Sequence, residues 1–309
     1  MALIQPPMLT HGGTHPARAF RMMVRDLARG NQGVTEGNDL KVRALSTPGA
    51  GVRVGDGSAV VRGAAWGQGS YTQYNVGDAS VPIAPTGSAG RSDLICLRVE
   101  DPEYEGNRDP AADDIGYLHV ISGVSASTKT VPSGMTAIPL ARLDIPANTA
   151  TITNAMITDL RQIANPRRER TLYTAYPGSL SRLTAQNGQW YNWPAAARWK
   201  VPIPTWATTA KVVVTLAGLR LSESDVFAYM QTVLGTDYGQ TTSIDDDQGN
   251  NIRRNTVVLA DTITLTAALR GTTQDLYVRT QPSKSEWGNL GVDAATSLIA
   301  DVEFTEGVL

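Results

Sequence analysis

The chain of 309 residues has one cysteine, Cys96. A lone thiol excludes an intramolecular disulfide framework and any multi-cysteine zinc site. Histidine is nearly as scarce, at His11, His15 and His119. Neither HExxH nor CxxC occurs, so no metal site is expected. His119 alternates with Leu118 and Val120 and reads as a half-exposed strand residue. Charged residues make up 18%, below the roughly 25% of ordinary soluble chains. Lys+Arg is 27 and Asp+Glu is 29, a formal net charge of −2. That balance lacks the basic footprint of a nucleic-acid binder and has little to offer an anionic membrane. No apolar run approaches the ~18–20 residues that span a bilayer, so no membrane insertion is expected. The N-terminus has no basic n-region, and Pro6 and Pro7 interrupt its apolar stretch. It does not read as a signal peptide, and synthesis in a cytoplasm is expected. Glu306–Leu309 carries no lipidation or retention signal.

Signals for catalysis are equally sparse. There is no Gly-x-Ser-x-Gly elbow. Gly67-Gln68-Gly69 precedes a strand pattern and not a helix, which is wrong for a phosphate cradle. Cys96 lies in the apolar stretch 94–99 and reads as an inert core thiol. Asp101, Glu103 and Glu105 cluster in a turn-like segment without a motif. No catalytic residue and no cofactor is therefore assigned. Paired carboxylates of a wall hydrolase stay open as a remote alternative.

What is present is turn chemistry and period-two patterning. There are 29 glycines and 17 prolines. A single amphipathic helix is predicted around 16–29. Phe20, Met23, Val24, Leu27 and Ala28 share one face, and Arg18, Arg21, Arg25 and Arg29 lie largely on the other. Thr14 or His15 is placed to cap it, and Gly30 to stop it. Phe20, Met23, Val24 and Leu27 are candidates for docking, onto the core or onto a neighbouring subunit.

From Leu40 the period becomes two. Residues 51–63 read as a hairpin around Gly55-Asp56-Gly57. Further strands are predicted over 70–76, 94–99, 116–122 and 138–145, with a helical turn over 154–161. The polar, basic segment 165–170 reads as a linker. Beyond it, strands are expected over 199–204, 210–216, 227–234, 255–259, 262–269, 276–279 and 298–304. Residues 235–251 read as an exposed loop. The predicted fold is mainly β: a short N-terminal helix, then two antiparallel β-sandwich or barrel-like domains. The divisions are an N-terminal segment 1–38, a β-rich domain 39–164, the linker 165–170, and a jelly-roll-like β-sandwich 171–309.

Two clusters stand out in the second half. Asp245, Asp246 and Asp247 invite a hard cation, but the spacing does not match an EF-hand loop. A polar hairpin tip is the plainer reading. Trp190, Trp193, Trp199 and Trp206 fall within seventeen positions, with Tyr191 beside them. Such rings either anchor the core of the second domain or stack on sugar. Trp190, Tyr191 and Trp193 are the candidate glycan-stacking residues.

Several stretches resemble minor tail or baseplate proteins of long-tailed phages, particularly those infecting actinobacteria. They are the arginine-bearing helix, Gly33-Val34, Asp39–Val42, the strand ending at residues 59–63, and Gly69–Tyr71. Residues 91–101 also match, with arginine-x-aspartate at Arg91 and Asp93 opening a core strand. Residues 137–141 and 157–161 complete the first part. In the second half Arg198-Trp199, Ala207 and 269–273 are similar to the β-domains attached to such proteins. The resemblance implies a virion component at the tail tip, assembled as a ring or trimer with other tail-tip proteins, the trimer favoured. It supplies no catalytic residue. It leaves open whether the second domain meets a host-cell glycan or other tail proteins. The low charge fraction agrees with a surface partly given to subunit contacts.

Overall fold

The computed structural model describes residues 11, 16–184, 187–283 and 288–309. Strands account for 48% and helix for 6%, in several antiparallel sheets with a sandwich-like arrangement and, among the described residues, no closed barrel. The chain divides into two compact units. Met1–Pro166 with Val308–Leu309 form the first, and Arg167–Gly307 the second.

Among the described residues the first unit has three sheets. One joins Gly33–Val34, Gly57–Arg62 and Ser70–Asn75. The second joins Val42–Ala44, Gly51–Val54 and Ala79–Pro82. The third is four-stranded, in the order Ile157–Asp159, Ala137–Ile145, Arg91–Val99, Gly116–Val124. Arg91–Val99 lies inside this sheet, so Asp93–Leu97 form a continuous buried run instead of alternating. Gly116–Val124 is an edge strand and stays half exposed. The core joins valines of the short sheets (Val52, Val54, Val61) to Ile95, Leu97, Leu140 and Leu143.

Arginine and aspartate two positions apart recur in this last sheet and the residues that follow it. Arg91 grips the buried Asp93 (Nε to Oδ1 2.8 Å), Arg142 grips Asp144, and Arg161 grips Asp159. Spacing by two puts both members on one face of an extended chain, so each pair closes locally.

Two expectations for this unit are corrected. The segments 51–54 and 57–62 are both strands, but they do not form a hairpin. They pair in different sheets. Gly57, at φ 145°, lies so close to Asp39 that an added Cβ would sit 2.5 Å from its Cα. The chain therefore passes from one sheet into the next at this point. The helical turn expected over 154–161 shrinks to a 3₁₀ turn, Asn154–Met156, before the strand Ile157–Asp159 pairs with Ala137–Ile145.

The second unit is built mainly from eight strands: Arg168–Ala175, Arg198–Pro202, Thr209–Ser222, Val226–Leu234, Thr242–Asp246, Arg253–Thr264, Thr273–Pro282 and Ser297–Thr305. Counted in chain order, one sheet runs first, eighth, third, sixth. The other runs second, seventh, fourth, fifth. This is the double Greek-key connectivity of a jelly roll. Short strands Ser181–Leu183 and Asn289–Val292 extend the first sheet, and Asp237–Tyr238 extends the second. Ser297–Thr305 alternates strictly, with Leu298, Ala300, Val302 and Phe304 buried. They meet Val212, Val214 and Leu216 from one sheet and Met230, Leu276 and Val278 from the other.

Three expectations change here. Arg168–Arg170 are not linker. They begin a strand that pairs with Ser297–Thr305 along its whole length. The segments 255–259 and 262–264 belong to one strand, Arg253–Thr264, and the expected continuation over 265–269 is not strand. The loop expected over 235–251 contains two strands, because Thr242–Asp246 pairs with Val226–Met230. Polar side chains hid this strand, since Ile244 is its one buried residue.

Candidate functional site

The helix Ala17–Leu27 packs on the strand Ser70–Asn75 and the turn Trp66–Gln68. Its arginine face makes the contact within the chain, so the Phe20, Met23, Val24 and Leu27 stripe is not what docks it onto the core. Arg21 is nearly buried, donates to the Gln68 carbonyl (2.9 Å), and pairs with Glu103 (2.5 Å) and Asp101 (3.3 Å). Its guanidinium also lies over the Tyr71 and Tyr104 rings, at 5.6 and 5.5 Å. Arg18 pairs with Glu103, and Arg25 lies over Trp66. Asp101, Glu103 and Tyr104 in the turn after Arg91–Val99, together with Tyr71 of the strand Ser70–Asn75, thus draw the cations inward. Phe20, Met23 and Val24 are left half-buried and Leu27 is 73% exposed. Pro16 occupies the N-cap position, whereas Thr14 and His15 lie outside the described residues.

The tryptophan cluster divides in two. Trp193 and Trp199 are buried core residues, so Trp193 is corrected from glycan candidate to core anchor. Tyr191 packs half-buried against that core and exchanges both backbone hydrogen bonds with Thr280 (2.8 Å each). Trp190 is half-buried and, of the three candidates, is the one stacked with a cation. Arg279 lies 4.4 Å from its ring centroid and 4.0 Å from that of Tyr238.

The register explains why these groups meet. Arg198, Tyr277, Val233 and Tyr238 stand opposite one another across four strands, so they share the outer face of the second sheet. Arg279 and Gln231 form the next row, and Gln281 and Tyr229 the one after. With its amide oxygen turned to the guanidinium, Gln231 accepts from Arg279 Nη2 (2.6 Å) and Nε (2.8 Å). Arg198 lies 4.8 Å over Tyr277. A cleft of about 230 Å³ opens beside this pair, lined by Asn192, Pro194, Ala197, Arg198 and Tyr277. The sequence reading found Trp190 by density of tryptophan. It missed Tyr238 and Arg279, which are 48 and 89 positions away.

The outer face of the other sheet has a different chemistry. Leu172, Asp301, Val213 and Ala260 form one row, and Thr174, Ile299, Thr215 and Val258 the next. Leu172, Val213 and Val258 are exposed there, at 63%, 37% and 52%. The acidic groups on this face are paired, Asp301 with Arg170 and Glu303 with Arg168.

The remaining candidates are structural. Asp245 and Asp246 are successive strand residues and so point to opposite faces, and Asp246 is held by Arg253. No group of three potential metal ligands occurs among the described residues. His119 is half-buried, edge-on to Tyr117. Cys96 is fully buried, and burial pushes its thiol up to about 12. At pH 8 about one thiol in ten thousand is then ionised. Cys96 is expected to stay unlabelled by a thiol reagent in the native protein and to react fully in denaturant. Native labelling at the denatured rate would refute the buried assignment.

No family model and no curated protein matches the chain. Among solved structures it is similar to the VP2 subviral particle of infectious bursal disease virus. The identity is 11% and the TM-score 0.29, over 90% of this chain and 76% of that one. A D431N mutant VP2 protein of that virus, in derived T=1 particles, matches at 12% identity and TM-score 0.28, over 90% and 77%. The insecticidal delta-endotoxin Cry8Ea1 of Bacillus thuringiensis matches at 9% and 0.22, over 89% and 51%. Likenesses at these scores carry no argument. Jelly rolls serve shells, lectins and enzymes alike, so function rests on the two outer faces.

Proposed function

We propose that the chain is a structural component of a virion, placed at the tail tip of a long-tailed phage. It assembles there as a symmetric homo-oligomer, a trimer by preference, and contributes to host attachment. The observation that carries this reading is the inequality of the jelly roll's outer faces. One presents Leu172, Val213 and Val258 among threonines, with its carboxylates already paired. Exposed apolar groups gathered on a flat sheet suit a self-complementary contact. The other face presents rings and cations suited to a polar ligand. The stretches resembling minor tail proteins, which lie mostly in the first unit, support the tail-tip placement.

Val213→Glu tests the assembly. Its side chain is exposed, so the fold should survive, with an unchanged far-ultraviolet spectrum. The oligomer should dissociate by at least tenfold in concentration, read by sedimentation or mass photometry. A wild-type chain that is monomeric at high concentration, and not at the tip of imaged particles, would sink the proposal.

A further inference from the structure

We infer that the outer face of the second jelly-roll sheet binds an anionic saccharide chain, with Arg198 and Arg279 meeting its negative groups and Trp190 and Tyr238 its sugar rings. This rests on the attachment reading above and names the ligand class for it. The first ground is unmatched charge. Arg167, Arg170, Arg182, Arg253 and Arg254 each pair with a carboxylate in the same unit. Arg198 and Arg279 pair with none among the described residues and lie instead over aromatic rings. A ring partner holds a guanidinium in place without neutralising it. The charge stays available to an incoming anion.

The second ground is order before binding. Arg279 is held by Trp190, by Tyr238 and by Gln231. A planar fork fixed in this way loses little freedom when it takes a carboxylate or phosphate. The neighbouring acids do not cancel it. Asp275 is engaged by Lys200 at 3.0 Å. Asp245 shares this face opposite Phe227, four residues along the strand from Gln231, about 13 Å away at strand rise.

The third ground is shape. The cleft beside Arg198 is about 230 Å³, smaller than the ~300–1,000 Å³ pockets that engulf drug-sized ligands. Tyr238 is 60% and Tyr229 40% exposed. Rings laid open on a sheet offer their faces to the C–H face of successive sugars. An extended chain lying across the face fits this better than an enclosed small molecule. An acidic peptide would match the cations but would leave the exposed rings with less to stack on.

The test uses the full chain. Its binding is measured to uronate oligosaccharides (oligogalacturonate, oligomannuronate, hyaluronan oligomers), phosphorylated oligosaccharides, neutral counterparts of each, and poly-glutamate. Adsorption to host cells is measured in parallel. At least one acidic oligosaccharide should bind ten times more tightly than its neutral counterpart and than poly-glutamate. Arg279→Gln and Trp190→Ala should each weaken it tenfold or more, while thermal stability and oligomeric state hold. Equal binding of acidic and neutral sugars, or binding of poly-glutamate as tight as any sugar, would overturn the inference while leaving attachment standing. Absence of binding to any saccharide with normal, Trp190-independent adsorption would overturn both this inference and the role of this face. A chain that adsorbs to no host cell would overturn the attachment reading itself.

Discussion

Gly33→Ala is expected to destabilise the first unit by roughly 3 kcal/mol or more, as a strained backbone and an overpacked contact add. Gly33 has φ 140°, and a Cβ added there would stand 2.1 Å from the Gln162 carbonyl oxygen. That oxygen cannot withdraw cheaply, because it accepts the Val34 N–H at 2.8 Å, and Ala164 N–H donates to the Val34 carbonyl at 2.9 Å. The strand Gly33–Val34 is thus clasped between residues 162–164 and Gly57–Arg62. Hydrogen exchange resolves the effect by unit. Protection should fall across Arg91–Val99 and Ala137–Ile145, while the core strands of the jelly roll keep theirs. Wild-type protection in Gly33→Ala would show that the close approach is not real.

Arg161→Ala is expected to cost the same unit about 3 kcal/mol, since a buried cation and its hydrogen bonds are lost together. The Arg161 side chain is fully buried. Its guanidinium donates to the backbone oxygens of Gly37 (3.1 Å), Asp39 (2.6 Å) and Leu309 (2.9 Å) and to the Asp159 carboxylate. Asp159 is 36% exposed and can rehydrate after the loss, so the unpaired backbone oxygens dominate. Arg161→Lys should recover only part of the stability, because an ammonium cannot reproduce the planar fork. A urea titration followed by exchange at Arg91–Val99 measures both variants. Full rescue by lysine would show that charge alone suffices. Because Arg161 adjoins Gln162, Gly33→Ala and Arg161→Ala should be non-additive.

Much of the strand content was legible because burial on one side imposes period two. Val52 with Val54 shows it in the first unit, and residues 301–305 show it in the second. The burial of Cys96 was legible for a different reason, a continuous apolar run that marks a strand covered on both sides. Strands with little buried surface were not. Arg168–Ala175 carries mostly exposed residues, and its arginines look like a linker until Ser297–Thr305 lies beside them. Partner choice was also hidden. Gly51–Val54 and Gly57–Arg62 look like a hairpin, but the first pairs with Val42–Ala44 and Ala79–Pro82 and the second with Gly33–Val34 and Ser70–Asn75.

The helix illustrates a limit of amphipathic reasoning. Phe20, Met23, Val24 and Leu27 make a convincing stripe, and apolar area usually decides which face docks. Here Asp101, Glu103, Tyr71 and Tyr104 offered the arginines a partly buried network of ion pairs and rings. Those partners lie roughly 50 to 85 positions downstream, beyond the reach of any local pattern. The candidate site has the same origin. Trp190 is conspicuous by composition, but Arg279 and Tyr238 join it only through sheet register.

By itself the sequence determined the class of the protein: two β-rich parts, one short helix, and neither disulfides nor the motifs of metal or nucleophilic catalysis. Composition and periodicity suffice for that, because they act over a few residues. The tertiary structure decided which strands pair and therefore the jelly-roll connectivity. It also decided which face of the helix is covered, which tryptophans are core, and which cations lack a counter-charge among the described residues. Each of these depends on groups far apart in the chain arriving at one place, and pairing register, not local propensity, brings them there.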